Sequence, residues 1–248
     1  MMAKKERIDK LLVERGLAES RAKAQALVLA GEVVAGDQRV DKAGALVDVE
    51  LPLRLKGEGL RYVSRGALKL EGALDHFGID VTGLDALDVG ASTGGFTDLL
   101  LQRGAARVVA VDVGYGQLHP KLRSDARVTV RERVNARALT REDVPFEVDL
   151  IVADVSFISL RLVLPSALGY LKPGGAIAVL VKPQFEVGRQ DVGKGGVVRD
   201  PEKRRVAIEG IARFVAEQGL EVIGWIDAPI AGPAGNREAL LYARRALG

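Results

Sequence analysis

The run Leu84-Asp85-Ala86-Leu87-Asp88-Val89-Gly90-Ala91-Ser92-Thr93-Gly94-Gly95-Phe96-Thr97 brings a carboxylate and three glycines to the end of an apolar strand. A glycine-rich turn after a strand lets a ligand approach the backbone without Cβ hindrance, and the helix that follows offers free N–H groups. The candidate ligand contacts are therefore Asp88, Gly90, Ala91, Ser92, Thr93, Gly94, Gly95 and Phe96. Ser92 fills the second glycine position of a dinucleotide fingerprint, and no lysine followed by Ser or Thr makes a triphosphate cradle. The next strand, Arg107–Asp112, ends in a carboxylate able to hold two ribose hydroxyls, about 20 positions past the loop as that role requires. Asp88, with no pyrophosphate-type glycine pattern, favours S-adenosylmethionine, which lacks phosphate and carries an ammonium group. An ordinary strand–turn–helix corner is the plain alternative.

Three more segments deliver ionisable groups to strand ends, where open α/β sheets bind ligands. Asp149–Phe157 carries Asp154, Ala178–Glu186 carries Lys182, and Gly232–Glu238 places Glu238 at the entrance of the last strand. Glu238 reaches the same sheet edge if that strand runs antiparallel to its neighbours. Lys69, on the helix before the glycine loop, completes a Lys-Asp-Lys-Glu group. Taken singly, a strand-end Asp or Lys is as readily a solvated loop residue, and Lys69 can lie beside an apolar helix face.

The elements that must position these groups alternate along the chain. Leu70, Ala73, Leu74 and Phe77 line one face of a helix over 67–77, and strands are expected at 84–89, 107–112, 126–131, 148–153, 175–181, 220–227 and 239–244. Asp200-Pro201 starts another helix, with aspartate as cap and proline in the first turn. This alternation implies right-handed crossovers and a mostly parallel sheet covered on both faces. Chemistry by thiols is excluded, since the chain has no cysteine, which also fits a reducing cytoplasm. Two histidines, His76 and His119, give no basis for a histidine-rich metal centre. The amino-terminal Met-Met-Ala-Lys-Lys-Glu-Arg leads into no apolar signal core, and no run reaches membrane-spanning length.

The first 55 or so residues follow a different pattern. Ile8, Leu11, Leu12 and Leu17 fall at helical spacing, Ser20 can cap a second helix ended by Gly31, and Val33–Val40 reads as a hairpin turning at Gly36-Asp37. Residues 1–65 hold 13 Lys/Arg against 10 Asp/Glu, whereas the remainder holds 23 of each. The small positive excess thus belongs to this segment and points to a polyanion. Arg7, Lys10, Arg21 and Lys23 come near one surface of the helix pair and can meet phosphates. Lys56-Gly57-Glu58-Gly59 looks like a flexible joint, and domains are expected at 1–59 and 67–248 with a linker at 60–66.

Arg7-Ile8-Asp9-x-x-Leu12, Ser20-Arg21-x-x-Ala24 and Gly31-x-Val33 resemble the α-L RNA-binding domain of a ribosomal small-subunit protein and of pseudouridine synthases. Residues 60–248 resemble the FtsJ-like ribose 2′-O-methyltransferases, and the whole chain resembles the TlyA/haemolysin A family. The matching stretches are Val63-Ser64-Arg65-Gly66-Ala67-x-Lys69-Leu70, Asp88–Thr97, Asp154-Val155-Ser156-Phe157-Ile158-Ser159, Lys182-Pro183-Gln184-Phe185-Glu186 and Gly235-Asn236-x-Glu238. The fold this implies is α/β: a Rossmann-like methyltransferase with a mostly parallel seven-stranded sheet, preceded by a small α+β RNA-binding domain. The activity implied is methylation of a cytidine 2′-hydroxyl in ribosomal RNA, in the cytoplasm, with S-adenosylmethionine on the glycine loop, Asp112 and Asp154. Lys69, Asp154, Lys182 and Glu238 occupy the family's catalytic tetrad, and Arg65 joins the RNA contacts. Tyr62 stands where some relatives have tryptophan. Two other functions stay open at this point: a catalytically silent RNA-binding factor and a membrane-active haemolysin.

The reaction asks for alignment of oxygen, methyl and sulfur and for a proton acceptor. Lys182 is the expected residue nearest that proton. As a base near neutrality it must lose its proton roughly 4 kcal/mol more easily than a free lysine. Alternatively it stays charged and orients the hydroxyl.

Overall fold

A computed structural model describes residues 5–36, 38–49, 51, 53–55, 61–232 and 234–247. The chain divides into two compact units, Met1–Arg61 and Tyr62–Gly248. The expected joint 56–59, Leu60, the amino-terminal four residues, hairpin residue Asp37 and Pro233 all lie outside the described residues.

The first unit runs β1 (Lys5–Arg7), α1 (Ile8–Glu14), α2 (Arg21–Leu29), β2 (Val33–Ala35), β3 (Gln38–Val40), β4 (Leu46–Asp48) and β5 (Leu53–Leu55). Ser20 caps α2, its hydroxyl accepting from the Lys23 N–H at 3.2 Å. The two helices bury Ile8, Leu12, Ala24 and Val28 against Val33, Ala35 and Val40. The hairpin has the register Val33↔Val40 and Ala35↔Gln38. Two pairings escape the sequence pattern, β1 with β4 and β5 with β2. Strands of three residues are too short to show alternation.

The second unit continues α3 (Ala67–Phe77), β6 (Asp85–Val89), α4 (Gly95–Gln102), β7 (Arg107–Asp112), α5 (Pro120–Arg123), β8 (Val128–Glu132), β9 (Val148–Ala153) and α6 (Leu160–Leu168). It ends with β10 (Leu171–Val181), α7 (Pro183–Glu186), α8 (Pro201–Glu217), β11 (Leu220–Asp227) and β12 (Ala239–Arg245). One sheet of seven strands has the order β11-β12-β10-β9-β6-β7-β8, and only β12 runs antiparallel to its neighbours. Strand residues alternate between two apolar layers, as the period of two demands. Leu87, Val109, Ile151 and Val179 face Leu160, Val163, Ile208 and Ile211 of α6 and α8. Ala86, Val108, Leu150 and Ala178 face Leu70, Leu74, Leu99 and Leu100 of α3 and α4.

Strand β10 starts earlier than its expected position at 175, because a register irregularity between Leu171 and Ala176 carries Pro173-Gly174-Gly175 into the strand. Turn residues concealed that start. Tyr62–Gly66, expected as linker, are built into this unit. Tyr62 is buried and donates its hydroxyl hydrogen to Glu71 Oε1 at 2.6 Å, and the Val63 N–H donates to Asp98 Oδ2 at 2.8 Å.

Candidate active site

Three register pairs assemble the site. Val89 lies opposite Ala153, Ala153 opposite Val179, and Val181 opposite Ala239. The residues just beyond these pairs, Asp154, Lys182 and Glu238, therefore emerge at one sheet edge because β12 enters where its parallel neighbours leave. The ladder runs past the strand ends into the loops. Gly90 and Ala91 N–H both donate to Val111 O, and Asp154 N–H donates to Val89 O at 3.0 Å.

Lys182 Nζ lies 2.5 Å from Asp154 Oδ1 and donates to Ser156 Oγ at 2.8 Å. Lys69 Nζ donates to Glu238 Oε2 at 2.5 Å, with both side chains buried. The expected four residues thus resolve into two lysine–carboxylate pairs, one at the ends of β9 and β10 and one between α3 and the start of β12. Each lysine carries its carboxylate with it, so neither buried charge is left unpaired.

Asp88 sits inside β6 with 0% exposure. Its Oδ2 accepts from Thr97 N–H at 3.0 Å and from Thr97 Oγ1 at 2.6 Å, which fastens the glycine loop to the first turn of α4. Its Oδ1 is buried and has no partner. Burial pushes the Asp88 carboxyl up to about 7, the Thr97 bonds pull it back, and the charges of Asp154 and Asp112 add to the rise. A dry carboxylate oxygen without a donor calls for a ligand that brings donors and positive charge.

Two lobes of a cleft meet over this loop. The smaller, about 180 Å³, is lined by Ser64, Asp88, Thr93, Phe96, Asp154 and Lys182, among others. The larger, about 480 Å³, is lined by Asp112, Asn135, Arg137, Phe157, Ile158 and Val163, among others. Gly90, Ser92, Asp154 and Ser156 belong to both. Asp112 accepts from Ser92 N–H at 2.8 Å and Gly114 N–H at 2.7 Å. Each carboxylate oxygen keeps a further lone pair for a ligand hydroxyl.

The glycines divide into different roles. Gly90 has φ +82°, and a Cβ there would stand 2.6 Å from the Asp154 carbonyl oxygen. Gly90→Ala is expected to cost about 1–3 kcal/mol in chemical denaturation, with loss of ligand binding, because strand β9 cannot back away from the loop. Gly95 approaches Ser64, which explains why Val63-Ser64-Arg65-Gly66 accompanies the loop. Gly94 does not line either lobe as expected; at φ +93° its missing side chain would strike Leu118 and Leu122. A side chain there would therefore disturb local packing.

Sequence reasoning also missed Thr97, Asn135, Ser156 and Phe157. Phe157 has φ +64°, is 90% exposed, and its ring lies 5.3 Å from that of Phe185. No pattern marks Asn135, whereas an Asp in the strand before a helix start was a signal that could have pointed to a donor at Thr97.

In the first unit, fully buried Asp9 gathers Arg7 and Arg21. Arg7 donates twice, at 3.0 and 2.9 Å, while Arg21 donates at 3.1 Å and Gln25 at 2.8 Å. These bonds, led by Arg7, hold the Asp9 carboxyl well below the usual carboxylate range. The outer faces of both arginines stay exposed. Lys10 instead pairs with Glu6 and Glu14, and Lys23 is exposed. The structure therefore groups two of the expected RNA-binding residues around Asp9 and leaves Lys10 and Lys23 outside that group. Arg65, also exposed, belongs to the second unit.

A mostly parallel seven-stranded sheet with a glycine loop and two lysine–carboxylate pairs at one edge is the frame of an α/β enzyme of the methyltransferase type. The chain belongs to the FtsJ-like methyltransferase family, whose model matches residues 62–245, and an S4 domain matches residues 6–51. It is 50% identical over 244 residues to the 16S/23S rRNA (cytidine-2′-O)-methyltransferase TlyA of Mycobacterium tuberculosis, covering 98% of this chain and 91% of that one. It is 40% identical over 238 residues to Hemolysin A of Brachyspira hyodysenteriae, covering 95% and 98%. A solved structure from Streptococcus thermophilus shares 44% identity at a TM-score of 0.75, covering 99% of this chain and 90% of that one. Among the described residues, no helix is long and apolar enough to cross a membrane.

Proposed function

We propose that this protein methylates the 2′-hydroxyl of a cytidine in ribosomal RNA from S-adenosylmethionine, acting on ribosomal subunits in the cytoplasm. The observation that carries the reading is Lys182, held between Asp154 and Ser156 where the two lobes join. The 50% identity to a protein named for that reaction supports it. S-adenosylmethionine, when bound, supplies an electrophilic methyl on a sulfonium.

The residues present fit that cofactor. Asp88 Oδ1 lacks a donor, as an ammonium group would provide. Asp112 retains lone pairs for ribose hydroxyls, and the roomier lobe beside it has a mixed apolar lining suited to a purine. Lys182 acts on the acceptor hydroxyl, directly or through Ser156, and either takes its proton or fixes its direction. Asp154 holds the Lys182 ammonium in place, and the buried Glu238–Lys69 pair supports the strand entry beside it. Asp88 and the backbone of 90–95 align the methyl donor, which is the larger part of the work for an already activated methyl.

The experiment is ribose-methylation mapping by mass spectrometry on ribosomal subunits incubated with the protein and S-adenosylmethionine. A single new 2′-O-methylcytidine supports the reading, whereas unmodified RNA or a base methylation rejects it. The first unit is assigned RNA backbone contact through Arg7 and Arg21. Arg21→Ala leaves Asp9 bonded to Arg7 and Gln25, so the unit stays folded. Its expected effect is weaker subunit binding, with the slope of log affinity against log salt shallower by about one, measured by filter binding across a salt series. An unchanged slope would mean that Arg21 meets no phosphate.

A further inference from the structure

Ser156 is an exposed hydroxyl that borders both lobes of the cleft. Among the described residues it is the one hydroxyl hydrogen-bonded to Lys182. The backbone then turns into the left-handed region at Phe157, φ +64°, a conformation that a bulky residue adopts only under constraint. The constraint lies in the fastening on either side: Asp154 N–H bonds to β6, and Ser159 Oγ donates to Glu186 Oε2 at 2.6 Å. Ser156 is thus held in place rather than left on a loose loop.

A hydroxyl has one hydrogen and two lone pairs. Lys182 N–H occupies one lone pair, which leaves the second directed away from the lysine. We propose that Ser156 Oγ is the acceptor for the 2′-hydroxyl of the target ribose, binding its O–H and turning an oxygen lone pair toward the methyl. On methyl transfer the hydroxyl's hydrogen passes to Ser156 Oγ, while Ser156's own hydrogen passes to Lys182 where that amine is neutral, or to solvent where it stays charged. Lys182 thus acts on the hydroxyl through Ser156. Ser156 is thereby the residue that distinguishes ribose from deoxyribose at the target nucleotide, since a 2′-hydrogen offers nothing to accept. The assignment rests on the ribose-methylation reading above and adds the contact that selects the hydroxyl.

The test uses the full chain and an rRNA fragment spanning the mapped cytidine, made with either ribose or 2′-deoxyribose at that nucleotide alone. Wild-type protein is expected to bind the ribose form about three- to tenfold more tightly, the effect of one hydrogen bond. In Ser156→Ala that gap shrinks to within about twofold, turnover on the ribose form falls about 10- to 100-fold, and S-adenosylmethionine affinity is retained. Ser156→Thr keeps a hydroxyl and keeps the gap. Ser156→Cys, nearly the same shape but a weak acceptor, loses it, which covers the case in which the alanine variant misfolds. A folded Ser156→Ala or Ser156→Cys protein with the full wild-type gap overturns the assignment. Should the wild type leave no 2′-O-methyl on ribosomal RNA at all, the broader reading falls first, and this one with it.

Discussion

Lys182→Ala is expected to lower methyl transfer by about two to four orders of magnitude, the range for a positioned proton-transfer group, while S-adenosylmethionine affinity stays within a few-fold of wild type. The separation follows from the structure. Lys182 addresses Asp154 and Ser156, whereas the Asp88 and Asp112 carboxylates lie on other strands. Asp88 Oδ2 keeps its bonds from Thr97, Asp112 keeps those from Ser92 and Gly114, and Asp88 Oδ1 is untouched. Asp154 is left without its lysine but is partly solvated, so the variant should remain folded. Lys182→Arg then separates two mechanisms. A guanidinium does not give up its proton near neutrality, so arginine fails if Lys182 acts as base and restores much of the rate if a fixed cation suffices. A base also gives a wild-type rate that climbs with pH. Calorimetry for the cofactor and single-turnover kinetics for transfer read the two quantities separately. An alanine variant that methylates at the wild-type rate would make the paired lysines structural and remove the main support for the enzymatic reading.

The sheet was legible because most of its strands are short apolar runs bounded by turn residues, and four of them, β7, β9, β10 and β11, end at or just before Asp or Lys. The bounds of β7, β9 and β11 match the expected ones residue for residue. That Asp154 and Lys182 come to one edge was legible for a related reason, since strand-end residues of neighbouring parallel strands share an edge whatever else the chain does. Glu238 joins them because β12 runs the other way. What periodicity cannot express is who bonds to whom. The pairing of Lys182 with Asp154 depends on the register of β9 against β10, that of Lys69 with Glu238 on where α3 lies beside the start of β12, and the link from Lys182 to Ser156 on the loop after β9. Gly94 shows another thing that spacing cannot express. Its neighbours in sequence touch the cleft, but its backbone conformation faces Leu118 and Leu122 on α5 and the loop before it. In the small unit, Arg7, Lys10, Arg21 and Lys23 read alike as basic residues on helices. A single buried carboxylate, Asp9, sets two of them apart, and burial is invisible in a charge count.

The cofactor-free protein is expected to lose stability as pH rises through about 7, and Asp88 is the cause. Its carboxyl titrates at about 7 when buried in β6 and at ~3.9 in an unfolded chain. Between those values the folded protein holds a proton that the unfolded chain has released. The stabilisation is therefore complete below about pH 4 and is lost progressively up to about pH 7, roughly 4 kcal/mol in all. Asp88→Asn removes the titration while keeping an oxygen for Thr97, so its denaturation free energy should decline less between about pH 5.5 and about pH 8. The comparison with the variant matters because burial also raises the Glu186 carboxyl, which adds a slope of the same sign to both proteins. Cofactor binding should show the complementary behaviour. An ammonium group beside Oδ1 favours the carboxylate, so binding below about pH 7 must expel the Asp88 proton, and affinity should fall up to about tenfold per pH unit there. Asp88→Asn should bind S-adenosylmethionine more weakly and with little pH dependence. Calorimetry in buffers of different ionisation enthalpy counts the released proton directly. Wild-type binding that releases no proton at about pH 6 and keeps a flat affinity would show that Asp88 Oδ1 is not the ammonium's partner.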